Sequence, residues 1–327
     1  MRKDFSVEKM PDEVLTGTKG LREGLHYTRE KFTLTRKIIA YKTTQSWEKV
    51  PHCAFTYEPD ATRLLEEYKS LKKNREGDGV LTLNSLMIRI LVEALKAAPK
   101  LNAYVEYNKK NSRGEIDTIQ EINVSMPMKL SNGSTVTVNL RGLEKMDLAS
   151  IGELVNDTRR RAENTNFVEL YYRVAVKELT EDLSKLKVAS FVRKIFAGRI
   201  GADKVNPLKG DEKKRYYAIP ESDRLAIKDV RQGTVVITNI GSLIKGVNGM
   251  MSLIEIVPPQ IIAFGISPVI EKPGAAQDSI PGSPIEMRKF LPICMVFDHR
   301  ACDFDALVPL LEKLEEIFRH PEIIHYM

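Results

Sequence analysis

The stretch FLPICMVFDHRACDFDALVPLLEKLEEIFR, Phe290 to Arg319, decides how the rest of the chain is read. Its first part, FLPICMVFD (290–298), is an apolar run of the length of a buried strand. Its last part sets Leu307, Leu310, Leu311, Leu314, Ile317 and Phe318 on one stripe of a helix. Between them lies FDHRACDFD, Phe297 to Asp305, with a histidine flanked by aspartates and an arginine. Side chains at such a strand-to-helix junction project from a rigid scaffold. An imidazole, with an ordinary pKa of ~6.5, can take a proton from a thiol or hydroxyl and return it. His299 is therefore the first catalytic candidate among five histidines. Asp303, four residues on, is placed to fix the ring or the loop by a hydrogen bond or ion pair. From spacing alone a structural role for this pair is favoured.

Outward from that junction, PQIIAFGISPVI (259–270) reads as another buried strand, joined to it by a loop rich in Gly, Pro and Ser (272–284). GTVVITNIG (233–241) is a strand ending in Thr238 and Asn239. A hydroxyl there can donate to a developing oxyanion if it faces the nucleophile. Read alone, Thr238 is a β-former and Asn239 a turn residue. NAYVEYN (102–108), INVSMPMKL (122–130) and STVTVNL (134–140) are strand-like, with Ser131-Asn132-Gly133 a hairpin signal between the last two. DATRLLEEYKSLKKN (60–74) predicts a helix capped by Asp60. TLNSLMIRILVEALKAAP (82–99) predicts a mostly buried helix stopped by Pro99, and LASIGELVNDTRRRAEN (148–164) a third. RKIIAYKTTQSWEKVPHCAF (36–55) reads as a helix running into a strand. Elements in this irregular order predict an α+β fold with a mixed β-sheet covered by helices.

Composition narrows the function classes. Hydrophobic residues make up 43% of the 327 residues and charged residues 29%, which excludes global disorder. The net charge of +6 comes from 50 basic and 44 acidic residues that are interspersed. That balance fits an anionic small ligand or an acidic partner and gives no indication of nucleic acid. Cys53, Cys294 and Cys302 show neither pairing nor metal-ligand spacing, so reduced thiols, no bound metal and a cytoplasmic location are expected. The start of the chain lacks the apolar core of a secretory signal, and no run reaches the ~20 apolar residues of a membrane span. Residues 1–31 read as a polar N-terminal arm and 165–228 as a distinct insertion. Within the insertion, KLKVASFVRKIFAGR (185–199) sets Phe191, Val192, Ile195 and Phe196 on one helical face amid Lys185, Lys187, Arg193, Lys194 and Arg199. Such a face can dock a partner or lie on an anionic membrane surface. A helix packed on its own protein is the simpler reading.

Together these stretches resemble the catalytic acyltransferase core of the 2-oxo acid dehydrogenase complexes, whose fold is chloramphenicol acetyltransferase-like. Four landmarks occur in order. RKIIAYKTTQSWEKVPH is similar to the family's opening helix and its following Ser-Trp and Pro-His. LTLNSLMIRILVEALKAAPKLNA is similar to its buried helix and Pro-x-x-Asn turn. GTVVITNIGS with VPPQIIAFG resembles its Gly-Thr…Asn-x-Gly strand and the Pro-Pro-Gln strand after it. FDHRACD resembles its Asp-His-Arg-x-x-Asp-Gly motif. The resemblance covers about 32–164 and 229–327, and makes 32–327 one catalytic domain carrying the 165–228 insertion. It implies a dihydrolipoamide acyltransferase: His299 as general base on the thiol of coenzyme A or a dihydrolipoyl group, and Thr238 as oxyanion donor. It further implies Asp303 and Arg36 as a loop-organising ion pair, with Asn239 beside Thr238. The family is trimer-forming, with active sites between subunits, so a homotrimer or a larger assembly of trimers is expected. Coenzyme A or acyl-CoA is then a substrate rather than a resident group.

Three departures bear on that expectation. The motif glycine is Phe304 here, which implies a changed loop and a narrowed channel. Residues 1–31 are too few for a lipoyl domain or a peripheral-subunit-binding domain. No covalent lipoyl group is therefore expected on this chain, and a lipoyl carrier or dehydrogenase partner must act in trans. The family's Gly-Leu-x-x-Pro-Val strand is replaced by STVTVNL. Two alternatives stay open: a non-catalytic oligomeric scaffold with an acyltransferase-like core, and an O- or N-acyltransferase acting on small molecules.

Overall fold

The computed structural model describes residues 23–74, 81–184, 208–241, 243–244, 247–276, 280–281 and 283–327. The chain divides into two units, 1–39 and 40–327. In the first, helix α1 (Leu34–Lys49) begins, with the Thr33 hydroxyl accepting from the Arg36 N–H at 3.2 Å. Its second half belongs to the larger unit, as does everything below.

Strand β1 (His52–Tyr57) leads into helix α2 (Thr62–Asn74) and helix α3 (Leu83–Ala97). Asp60 caps α2, accepting from the Thr62 N–H at 2.9 Å. The α3 cap is a reciprocal box between Thr82 and Ser85. Strands β2 (Ala103–Asn108), β3 (Arg113–Thr118), β4 (Val124–Lys129) and β5 (Thr135–Leu140) follow, then helices α4 (Leu148–Glu163), α5 (Phe167–Ser184) and α6 (Gly210–Ala218). Between β4 and β5, Gly133 takes φ +82, the left-handed geometry that a side chain disfavours, so the hairpin signal is used as read. The chain ends with β6 (Val235–Asn239), β7 (Ile262–Ile266), β8 (Ile270–Gly274), β9 (Glu286–Phe290), β10 (Ile293–Asp298) and helix α7 (Val308–Arg319).

Six of these strands form the main sheet in the order β1-β10-β7-β6-β4-β5. The β7–β6 and β6–β4 pairs are parallel and the others antiparallel, which makes the sheet mixed. β7 and β10 are buried along their whole length, yet their two faces differ. Ile262, Phe264, Ile266, Ile293, Met295 and Phe297 point into the large core with α3, α4 and α7. Ala263, Cys294 and Val296 point the other way, into a thin cluster closed by Val50, Ile256 and Met251. Large residues alternate with small ones along each strand, so helices fit on one face and only a loop on the other.

Three readings need correction. The runs 259–270 and 290–298 are not single strands: each is cut at a proline, Pro268 and Pro292, which has no N–H for a ladder. The stretch 272–284 is not simply a loop, because β8 and β9 pair across it as a second, two-stranded sheet. β3, Arg-Gly-Glu-Ile-Asp-Thr, gave no strand signal, since all six residues are exposed and it is held only by its pairing with β2. The amphipathic segment 185–199 lies outside the described residues. Among the described residues no helix is long and apolar enough to cross a membrane.

Asp60 joins α2 to the β8–β9 hairpin. Its Oδ2 accepts from the Arg288 Nε at 2.8 Å, and both side chains are almost wholly buried. Burial alone would raise this carboxyl, but the hydrogen bonds from Thr62 and the Arg288 charge outweigh it and hold it below its ordinary value. We expect Asp60→Ala to cost about 3 kcal/mol in urea unfolding, because it strands the Arg288 guanidinium. A depressed carboxyl contributes its stability above its unfolded pKa, so this difference between wild type and variant should fade on acidification below about pH 4.

Candidate active site

The backbone around His299 is fixed before its side chain is considered. β10 ends at Asp298, a wholly buried carboxylate. Such a charge is tolerated only when paired, and the Arg300 guanidinium supplies the partner, with Nε 2.9 Å from Oδ1 and Nη2 2.5 Å from Oδ2. The Arg300 N–H also donates to Oδ1 at 3.0 Å. The Asp298 carbonyl accepts from the N–H of Ala301 at 2.9 Å, closing a turn with His299 in it. The His299 N–H donates to the Pro51 carbonyl at 3.0 Å, and Arg300 lies over the Tyr107 ring of β2.

The imidazole is oriented by two acceptors. Its Nδ1 lies 3.2 Å from the Cys302 carbonyl and 3.1 Å from Asp303 Oδ1. Both places call for a hydrogen on Nδ1, which leaves the Nε2 lone pair to act as a base. Nε2 has no partner among the described residues, and the side chain is 43% exposed, so a substrate can reach it. The neighbouring Cys302 thiol is pushed up to about 12, by burial first and then by Asp298, Asp303 and Asp305. It stays protonated and offers no thiolate beside the imidazole.

Thr238 and Asn239 end β6. The Asn239 carboxamide accepts from the Gly241 N–H at 2.8 Å and donates to Asn84 Oδ1 of α3 at 3.3 Å. This ties the strand end to the buried helix. Thr238 points the other way, with Val236, and its half-buried hydroxyl has no partner among the described residues. Beside it in the ladder is Gly265. The Met251 sulfur lies directly over Gly265, in space that any Cβ would claim. Three hydrogen bonds help to anchor the segment carrying Met251. Ser267 Oγ accepts from the Met251 N–H at 2.9 Å, His52 Nε2 accepts from the Ile256 N–H at 3.1 Å, and Ser46 Oγ donates to the Ile256 carbonyl at 2.5 Å. His52 uses its other nitrogen on the Val50 carbonyl at 2.8 Å and stacks on Trp47. With both nitrogens committed, it is a clasp and not a base.

The two halves lie at opposite ends of the sheet. The Asp298 N–H pairs with Ile261, so His299 is level with Gln260, whereas Thr238 is level with Gly265. Five residue steps, from Gln260 before β7 to Gly265 within it, separate them, about 17 Å of extended chain. Within one chain they cannot serve the same carbonyl group. Arg36 is exposed on α1 in the first unit. The partner of Asp303 in the larger unit is the His299 ring.

A family model described as 2-oxoacid dehydrogenases acyltransferase (catalytic domain) matches residues 25–169 and 211–326. The chain belongs to this family. The dihydrolipoyllysine-residue acetyltransferase component of the acetoin cleaving system of Bacillus subtilis is 23% identical over 290 residues, covering 88% of this chain and 54% of that protein. This acyltransferase-family chain thus spans about half the length of the curated relatives it matches. A probable dihydrolipoamide acetyltransferase from Listeria monocytogenes shares the fold, with TM-score 0.58, 18% identity and coverage of 90% of this chain and 95% of that one. So does the cubic core of a pyruvate dehydrogenase multienzyme complex, with TM-score 0.60, 15% identity and coverage of 93% and 96%.

Sequence reasoning singled out His299, Asp303, Thr238, Asn239 and Arg36; the geometry brings together His299 and Asp303, places Thr238 and Asn239 on opposite faces of the end of β6, and leaves Arg36 in the first unit. It missed Met251 and the His52 clasp. Ser46, Trp47 and His52 were visible only as a pattern without chemistry, and Met251 gave no signal in an irregular segment. Two outcomes are expected. Gly265→Val should lower stability by about 2 kcal/mol and open the 249–257 segment to limited proteolysis, since Met251 must leave the sheet. Cys302 should resist iodoacetamide at pH 8 in the folded protein and react fully in urea, as read by mass spectrometry.

Proposed function

We propose that this chain is an acyltransferase that moves an acyl group between coenzyme A and the thiol of a dihydrolipoyl group carried on another polypeptide. The observation that carries this reading is the His299 ring, part-exposed, with Nδ1 held by the Cys302 carbonyl and Asp303 and with no partner for Nε2 among the described residues. Family membership supplies the reaction class. Nε2 takes the proton of the attacking thiol. The sulfur adds to the thioester carbonyl carbon, and the carbonyl electron pair moves onto oxygen. Thr238 donates its hydroxyl hydrogen bond to that oxygen. Collapse expels the other sulfur, which recovers the proton from Nε2. No acyl group is attached to the protein at any stage. Asp303 keeps the ring oriented and stabilises it while it is charged.

Because His299 and Thr238 of one chain lie about 17 Å apart along the sheet, the complete site takes His299 from one subunit and Thr238 from the next. A homotrimer, or a larger assembly of trimers, provides such interfaces, and a cubic core is among the proteins that share the fold. The three free cysteines support a cytoplasmic location.

Acyl-CoA mixed with dihydrolipoamide should release free coenzyme A thiol. His299→Ala should slow the transfer by about 10²–10⁴-fold and Thr238→Val by about 10²-fold. Each variant alone is nearly inactive, but co-refolded in equal amounts they should recover about a quarter of wild-type activity, since mixed interfaces regain intact pairs. Absence of transfer from every short or branched acyl-CoA, with no heat on titrating coenzyme A, would replace this reading with a non-catalytic scaffold.

A further inference from the structure

We propose that Phe304 is a substrate-contacting specificity residue, whose ring forms the wall against which the sulfur-bearing arm of the substrate lies at His299 and which shuts out branched thiols. The inference rests on the acyl-transfer reading and deepens it.

Phe304 opens the short helical turn Phe304–Leu307, directly after Asp303. Among the described residues other than glycine, only Ser112 has a positive φ, so the backbone at Phe304 is ordinary and a side chain is accommodated there without strain. The other large apolar residue of that turn, Leu307, is buried in the core, whereas Phe304 is 51% exposed. It is nonetheless held in place. Its ring meets the buried Phe297 ring edge-on, with centroids 5.0 Å apart and planes at 88°. The same Phe297 ring meets His299 edge-on at 6.0 Å and 87°. The candidate base and an oriented apolar surface that the fold leaves half in water thus share one buried neighbour, the Phe297 ring. Covering that surface with a ligand removes from water apolar area that the fold leaves exposed.

The chemistry narrows the ligand's part. Both substrates bring sulfur to His299 Nε2, and sulfur about 5 Å from an aromatic ring is attracted to it. The ring offers no hydrogen bond and no charge, so it favours an unbranched alkyl thiol over a polar or hydrated nucleophile. Its bulk leaves room for a slender arm beside the imidazole and not for a carbon branched next to the sulfur.

The experiment uses the full chain with Phe304→Ala and Phe304→Leu, both first shown to unfold cooperatively. Calorimetry compares coenzyme A with its desulfo analogue on each protein, and steady-state assays compare dihydrolipoamide with 2-methylpropane-2-thiol. A sulfur–ring contact makes the wild type prefer coenzyme A over the desulfo analogue by about two- to tenfold more than Phe304→Ala does. The KM for dihydrolipoamide should rise about fivefold in Phe304→Ala, with kcat within about threefold, and the branched thiol should become an acceptor. Phe304→Leu should keep the exclusion of the branched thiol and lose the extra preference for sulfur. Equal sulfur preference in wild type and Phe304→Ala, with unchanged KM and continued exclusion of the branched thiol, overturns the proposal. A wild type that binds coenzyme A but transfers nothing removes the acyl-transfer reading, and the desulfo comparison then decides Phe304 by binding alone. A wild type that binds neither compound removes both.

Discussion

Strands β7 and β10 are covered on both faces, and the two coverings have different thickness because large and small side chains alternate along them. Phe264, Met295 and Phe297 require a deep layer, which α3, α4 and α7 supply. Ala263, Gly265 and Cys294 leave a shallow one, which a helix cannot enter. The irregular segment through Met251 and Ile256 fills it and brings its own backbone polar groups close to the sheet. Those groups have to be satisfied locally, and His52, Ser46 and Ser267 do so. The apparent oddities of this region, a histidine with no free nitrogen and a methionine pressed on a glycine, follow from that packing.

The same sheet explains why the chemical groups are divided. A strand end is where a side chain can leave the packed layers without being enclosed by them, and the sheet has two such ends. β10 runs antiparallel to β7, while β6 runs parallel to it, so the C-terminal ends of β10 and β6 point in opposite directions. His299 follows the first and Thr238 ends the second. Strands this deeply buried do not bend to close a gap of about 17 Å. The proposed mechanism therefore takes His299 and Thr238 from two subunits.

Polar groups inside the large unit serve geometry more than stability. A buried ion pair such as Asp298–Arg300 contributes little net free energy, since desolvation offsets most of its attraction. What it does is fix the turn from which the His299 ring projects, and the Asp303 and Cys302 acceptors then choose the tautomer. Phe297 plays the matching apolar part, in perpendicular ring contact with both His299 and Phe304.

Much of this was legible in the residues. The buried run of β10, the α7 stripe, the Gly133 hairpin and the α3 helix each carry a local signal, because periodicity and turn chemistry act over a few neighbouring residues. β3 escaped notice, since a strand held only by its partner has no pattern of its own, and the prolines that divide the long apolar runs were read through. Four ordered landmarks singled out His299, Asp303, Thr238 and Asn239, for a histidine, an aspartate and a hydroxyl at strand ends are residue types at recognisable places. What the sequence alone determined is therefore which elements form, and which side chains have chemistry to offer. Only the tertiary structure decided which of two nitrogens on His299 is free, that His52 is a clasp, that Met251 lies over Gly265, the ladder neighbour of Thr238, and that His299 and Thr238 belong to opposite ends of the sheet. These are facts of register and distance between residues far apart in the chain, and no local pattern encodes them.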